Sequence, residues 1–142
     1  MSVPATVPAS SNPPSVRAMV IPTSGEVRFV QITTLKDMQN SVGGYIEHIR
    51  QWTHDGPEGP VAFALYADEE AKLKPAVPTN SLIAAIRDQC NIPLPNLLGP
   101  CLVMCPNLRP GDNNQYVYQD YDSIPDSVTS ANWATIFSVC SD

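Results

Sequence analysis

The sequence predicts an α+β fold, a small mixed sheet in the order β-β-α-β-α-β with its helices on one face. Three observations predict it. Short apolar runs at Ala18–Ile21, Val61–Ala67 and Cys101–Cys105 are bounded by proline, glycine or charge, as strands are. Between the first two, Leu35, Met38, Val42, Tyr45, Ile46 and Ile49 recur at the spacing of one helical face. Between the last two, Leu82, Ile83, Ile86 and Cys90 repeat that pattern over a shorter stretch.

Arg17 to Ile32 reads as a hairpin, with Pro22-Thr-Ser-Gly25 as its turn. In its second strand Val27 and Phe29 share one face and Val30 and Ile32 the other. Either a bulge shifts the register there or both faces are partly covered. Thr33 or Thr34 caps the long helix predicted over residues 35–49. Trp52 to Pro60, with Gly56-Pro57 and Gly59-Pro60, has the composition of a loop. In the strand Val61–Ala67 one face carries Val61, Phe63 and Leu65, and the other the small Ala62 and Ala64 with Tyr66. That small face would let a helix approach closely. Asp68-Glu69-Glu70 ends the strand, and Lys72 to Pro78 is extended or looped. Thr79 or Asn80 caps the second helix, and Asn91-Ile-Pro93 stops it. Cys101-Leu-Val-Met-Cys105 is apolar on both faces, the pattern of a central buried strand.

At 142 residues there is room for one domain. Residues 1–15, with Pro4, Pro8, Pro13 and Pro14 and no charge, read as a disordered Pro-rich leader without the form of a signal peptide. Residues 16–108 form the α+β domain. Residues 109–142 form an acidic, aromatic tail, in which Trp133, Ile136, Phe137 and Cys140 outline a short C-terminal helix. It docks either on its own domain or on a partner.

The net charge of −6 is uneven. Residues 16–108 hold seven Lys/Arg against nine Asp/Glu, and residues 109–142 hold Arg109 against five aspartates. Phosphate backbones need clustered Lys/Arg, so nucleic acid is excluded as a partner. No apolar run reaches the ~18 residues of a membrane helix, so no membrane association is expected and the location expected is cytoplasmic. With no secretory signal, Cys90, Cys101, Cys105 and Cys140 are expected to be reduced. Cys101 and Cys105 would lie about 13 Å apart along a strand, beyond disulfide reach.

Several stretches together resemble a family of small domains of unknown function, common in bacteriophages and other mobile elements. They are Val20-Ile-Pro22 with Gly25-Glu-Val27, Val42-Gly-Gly-Tyr-Ile-Glu47, Leu65-Tyr66 with Asp68-Glu-Glu-Ala-Lys-Leu-Lys74, Pro78-Thr-Asn80, and Leu98-Gly-Pro-Cys-Leu-Val103. The resemblance covers about Val16 to Asn107. It implies a fold and a viral setting, in the cytoplasm of an infected host, and it brings no activity, cofactor or catalytic residue.

Among the motifs, Gly43-Gly44 is costly inside a helix, about 1 kcal/mol per glycine relative to alanine. Close packing on the sheet explains such glycines, as does the approach of a ligand or partner backbone. Asp68, Glu69 and Glu70 read first as a solvated charge run, neutralised locally by Lys72 and Lys74, and otherwise as part of a site. His48 sits on the helix flank and His54 beside Asp55 in the loop, neither with a nucleophile placed against it. No P-loop, nucleophile elbow or dinucleotide fingerprint is present. The cysteines lack the short turn spacing of a zinc knuckle.

The sequence therefore points to a non-enzymatic binding or protein-interaction module without metal or cofactor. The candidate binding residues are Gly43, Gly44, Tyr45, Asp68, Glu69, Glu70, Lys72 and Lys74. Tyr116, Tyr118, Trp133 and Phe137 are candidate partner contacts, because aromatics are enriched at binding hot spots. Two alternatives are a small-molecule site, for a nucleotide or signalling metabolite, and a structural part of a viral particle or larger assembly. Self-association is the other partnership expected.

Overall fold

The computed structural model describes residues 15–107 and 121–141. Among the described residues six antiparallel strands are present: β1 (Val16–Ile21), β2 (Arg28–Ile32), β3 (Ile46–Gly56), β4 (Gly59–Asp68), β5 (Cys101–Pro106) and β6 (Tyr121–Asp122). The sheet order is β2-β1-β5-β4-β3, with β6 paired to the end of β5. Helix α1 (Leu35–Val42) joins β2 to β3, and α2 (Ser81–Cys90) lies between β4 and β5. Two 3-10 segments, Ala71–Leu73 and Trp133–Ser141, are also present among the described residues.

Class α+β stands, but the element order and the one-sided helices do not. The long helix predicted over residues 35–49 ends at Val42, because Gly43 adopts φ 91° and its N–H closes on Gln39 O at 2.8 Å. Only glycine takes that left-handed conformation without strain, and it is the usual helix stop. Beyond it Ile46, Ile49 and Thr53 are β-branched and enter β3. The expected loop Trp52–Pro60 is the tip of the β3–β4 hairpin. Gly56 pairs with Gly59, and Pro57-Glu58 makes the turn between them. Trp52 faces Phe63 across that ladder and stacks on it at 5.9 Å.

The helices cover opposite faces. Met19, Ile21, Leu65 and Val103 pack with Ile83 and Ile86 of α2, whereas Val20, Ala64, Leu102 and Met104 pack with Met38 and Val42 of α1. All six residues of β5 are buried, so each face of the central strand needs its own cover. Two-sided cover also explains β2. Its register with β1 runs without a bulge, Phe29 joins one cluster, and Val30 and Ile32 join the other.

Both helix starts follow from their caps. Thr34 Oγ1 accepts from Asp37 N at 3.2 Å, while Asp37 Oδ2 accepts from Thr34 N at 3.1 Å, a reciprocal capping box. Asn80 caps α2, its Oδ1 accepting from Ile83 N at 2.9 Å.

Residues 121–137 dock on their own domain. Arg17, lying over the Phe29 ring at 3.8 Å, donates to the carbonyls of Ile124, Pro125 and Val128 at 3.1, 2.8 and 2.9 Å. Trp52 Nε1 donates to Ile136 O at 2.7 Å, and Phe137 stacks on Trp52 at 4.8 Å. The segment expected as an α-helix is 3-10 in form. Residues 1–14 of the leader lie outside the described residues.

Burial pushes the Cys101 and Cys105 thiols up from 9.0 to about 12, with Asp122 adding to the effect on Cys105. Both therefore stay protonated in the folded chain at pH 8 and should resist iodoacetamide, which attacks the thiolate. Peptide mapping should find both unmodified in native protein and alkylated in urea. A folded value above the unfolded one also means that stability falls as pH rises from 9 toward 12.

Candidate functional site

The site forms where α1 turns into β3 and β4 runs into the 3-10 turn. Gly43 stops the helix, and the chain reverses through Gly44 and Tyr45. Glu69 N then donates to Tyr45 O at 2.7 Å, which ties the two crossings together. Asp68, the last residue of β4, has its side chain only 5% exposed. It accepts from Glu70 N at 3.0 Å and from Lys74 Nζ at 2.6 Å.

Lys74 Nζ also donates to Gly43 O at 2.8 Å. Its ammonium therefore sits at the C-terminus of α1, whose last turn has no basic residue of its own. A cation there satisfies a terminal carbonyl and opposes the helix dipole.

Gly44 makes this clamp sterically feasible. A Cβ there would stand 2.5 Å from Asp68 Oδ1 and 2.8 Å from Lys74 Nζ. Gly44→Ala should displace the ion pair and cost about 1–3 kcal/mol. Urea unfolding measures the loss, and an unchanged midpoint would show that the clamp yields freely.

Beside the clamp lies a groove of about 450 Å³, lined by Lys36, Gln39, Asn40, Gly43–Tyr45, Glu70 and Lys74. Lys36, Gln39, Asn40 and Gly43 fall at i, i+3, i+4 and i+7, one stripe of α1. Tyr45, on its lining, is 62% exposed, and Leu73, which precedes Lys74 in the chain, is 82% exposed. A second cleft of about 300 Å³ opens on the other side of Asp68, toward Glu47, Glu69 and Lys72.

The structure thus brings Gly43, Gly44, Tyr45, Asp68, Glu69 and Lys74 into one corner, with Glu70 on the groove and Lys72 facing the neighbouring cleft. The glycines expected within a helix serve a helix-to-strand junction instead. Asp68 is a buried partner of Lys74 rather than part of a solvated run, while Glu69 and Glu70 are exposed. Lys36, Gln39, Asn40 and Leu73 were not among the expected residues. The signal that could have found the first three is their shared helical stripe with Gly43, hidden while the helix was extended to Ile49.

Of the aromatic candidates, Phe137 is corrected: it is 1% exposed and belongs to the core, because Trp52 and Trp133 enclose its ring. Trp133 is half-buried against Phe137. Tyr116 and Tyr118 lie outside the described residues. His48 is on β3, edge-on to Tyr66 at 5.4 Å, and His54 is on β3 near the hairpin tip rather than in a loop. Among the described residues no group of three or more His, Cys, Asp or Glu is placed to hold a metal. No helix among them is long and apolar enough to cross a membrane.

A two-faced antiparallel α+β domain with a clamped helix–strand corner is the class that fold and site define. The family model described as a domain of unknown function, DUF3846, matches residues 16–118, and the chain belongs to that family. No curated protein and no solved structure matches the chain.

Proposed function

We propose that the chain is a non-enzymatic protein-interaction module of a virus-associated family, and that its contact surface is the corner around Lys74. One observation carries this reading. Tyr45 and Leu73, the exposed large apolar side chains among the described residues, are the chain neighbours of Gly44 and Lys74, which meet at the clamp. Exposed aromatic and aliphatic groups on rigid backbone are the anchors that interfaces bury. Gly43, Gly44, Asp68 and Lys74 supply the rigidity, so little ordering entropy opposes binding. The viral association rests on the sequence resemblance.

Tyr45→Ser/Leu73→Ser tests the reading. Both side chains face solvent, so stability should change by less than about 0.5 kcal/mol. The tagged full chain is isolated from its own host beside the wild type, and sedimentation and native mass spectrometry report self-association and bound protein. The double variant should lose a stoichiometric partner, or its own dimer, by about thirtyfold or more. Unchanged assemblies in the variant overturn the assignment. A discrete small-molecule adduct on the wild type would favour the alternative, which the groove volume of about 450 Å³ supports.

A further inference from the structure

We infer that a pocket at the tip of the β3–β4 hairpin binds a phenol, an aromatic ring whose hydroxyl both donates and accepts. The site lies at the opposite end of the hairpin from the Lys74 corner and does not depend on it. Its volume is about 190 Å³. A cavity of roughly 150 Å³ takes a benzene ring, so a single ring with one substituent fits here.

Two fixed walls form the pocket. His54 stands opposite Val61 in the β3–β4 ladder, so both project from the sheet face that residues 121–137 cover, as Phe63 does. That covering segment is the other wall. Arg17 holds it by donating to Pro125 O and Val128 O, and Asn132 Nδ2 donates to Ser127 O at 2.9 Å. Phe63 and Ile136, both buried, supply the apolar floor. A preformed apolar concavity with a few polar groups on its lining is the usual form of a small-molecule site. The family match ends at residue 118, so the wall from Pro125 to Ile136 lies outside it. The pocket therefore belongs to the domain joined to its C-terminal segment and not to the matched domain alone.

The polar groups choose the ligand. Glu58 is the only acid on the lining, and among the described residues no lysine or arginine joins it there. A Cβ on Gly56 would stand 3.5 Å from Glu58 Oε1 and 3.7 Å from His54 Cδ2, so carboxylate and imidazole both close on that glycine. The Glu58 carboxylate, the His54 imidazole and the Ser127 hydroxyl make no hydrogen bond among the described residues, and His54 Nδ1 is buried. An ionised carboxylate only accepts, so Glu58 requires a donor and repels an anion. A hydroxyl on the ring donates to Glu58 and accepts from Ser127, while the ring covers the floor.

A free small molecule and the tyrosine side chain of a peptide both present this phenol. The test is an amide-resolved NMR titration of the full chain with p-cresol and with N-acetyl-tyrosinamide. The ether p-methylanisole, which lacks the donor, and the anion p-toluate are run in parallel. The signals of His54, Glu58, Ser127 and Val128 should shift with p-cresol, which should bind about tenfold tighter than p-methylanisole. Glu58 is exposed, so Glu58→Ala keeps its fold, and it should erase that preference. The same shifts from N-acetyl-tyrosinamide assign the phenol to a peptide, and shifts from p-cresol alone assign it to a small molecule. No shift at millimolar p-cresol, shifts confined to other residues, equal binding of p-methylanisole or p-toluate, or an unchanged preference in Glu58→Ala would overturn the inference.

Discussion

A Phe137→Ala chain should unfold with about 3–5 kcal/mol less stability than the wild type, the cost of emptying a buried aromatic site. Phe137 lies in the C-terminal segment, yet it is 1% exposed and stacks on Trp52 at 4.8 Å with the rings 28° apart. Trp133 meets it edge-on at 6.2 Å. Both tryptophans of the chain therefore touch the ring, and truncation should change their emission as well as the urea midpoint. A loss below about 1 kcal/mol would mean that the segment contributes little to the core. The hydrogen bonds around it argue for the larger value. Arg17 spends its guanidinium on three carbonyls of this segment, and Trp52 donates to Ile136 O. Each such bond orders a stretch that has few backbone ladder bonds of its own.

How far the fold was legible depended on whether one periodicity stood alone. The strands at Ala18–Ile21, Val61–Ala67 and Cys101–Cys105 were readable because apolar runs with sharp stops have few competing interpretations. The N-caps were legible to within one residue, as Thr33 or Thr34 and as Thr79 or Asn80, and the capping bonds of Thr34 and Asn80 decide between them. Tyr45, Ile46 and Ile49 were ambiguous. They continue the helical spacing begun by Leu35, and the energy that decides against it is the left-handed φ of Gly43, a tertiary outcome. The hairpin tip was read as a loop because its glycines and prolines mask the pairing of Trp52 with Phe63 across it. Helix sidedness had a sign in the sequence, the two apolar faces of Cys101–Cys105, but placing α1 and α2 on opposite faces needs the topology.

The corner was found for a reason that was only half right. Two adjacent glycines in an apolar-periodic stretch were read as close packing on the sheet or the approach of a ligand or partner backbone, whereas Gly43 stops the helix at φ 91°. The partner of Gly44 could not be read, because Asp68 and Lys74 are brought to it by the β3–β4 pairing, in which Ile46 lies opposite Asp68. Tyr45 and Leu73 look like core residues by type. Only the placed backbone shows that both point away from either cluster.

Asn80→Ala should be the most damaging single change among the polar residues, with an expected loss of about 3–5 kcal/mol. The side chain is 1% exposed and hydrogen-bonded through both its oxygen and its nitrogen. Its oxygen caps α2 through Ile83 N, and its amide nitrogen donates to Ile21 O and Gly99 O, both at 2.9 Å. Truncation leaves one buried N–H and two buried carbonyls without these partners, at about 1–3 kcal/mol for each group that water cannot reach. Asn80→Asp separates this account from simple loss of volume. The carboxylate keeps the cap oxygen but sets a buried negative charge against two carbonyl oxygens, so its folded pKa must rise above the unfolded value. The stability gap between Asn80→Asp and wild type should then narrow as pH falls through the carboxyl range, because protonation removes the charge and restores one donor. The gap for Asn80→Ala should not change with pH. Parallel pH profiles for the two variants would instead mean that residue 80 matters for its shape alone. Because Asn80 joins the end of β1, the start of α2 and the bend at Gly99, its loss should also loosen the Leu98–Pro100 wall of the cleft that adjoins Lys74.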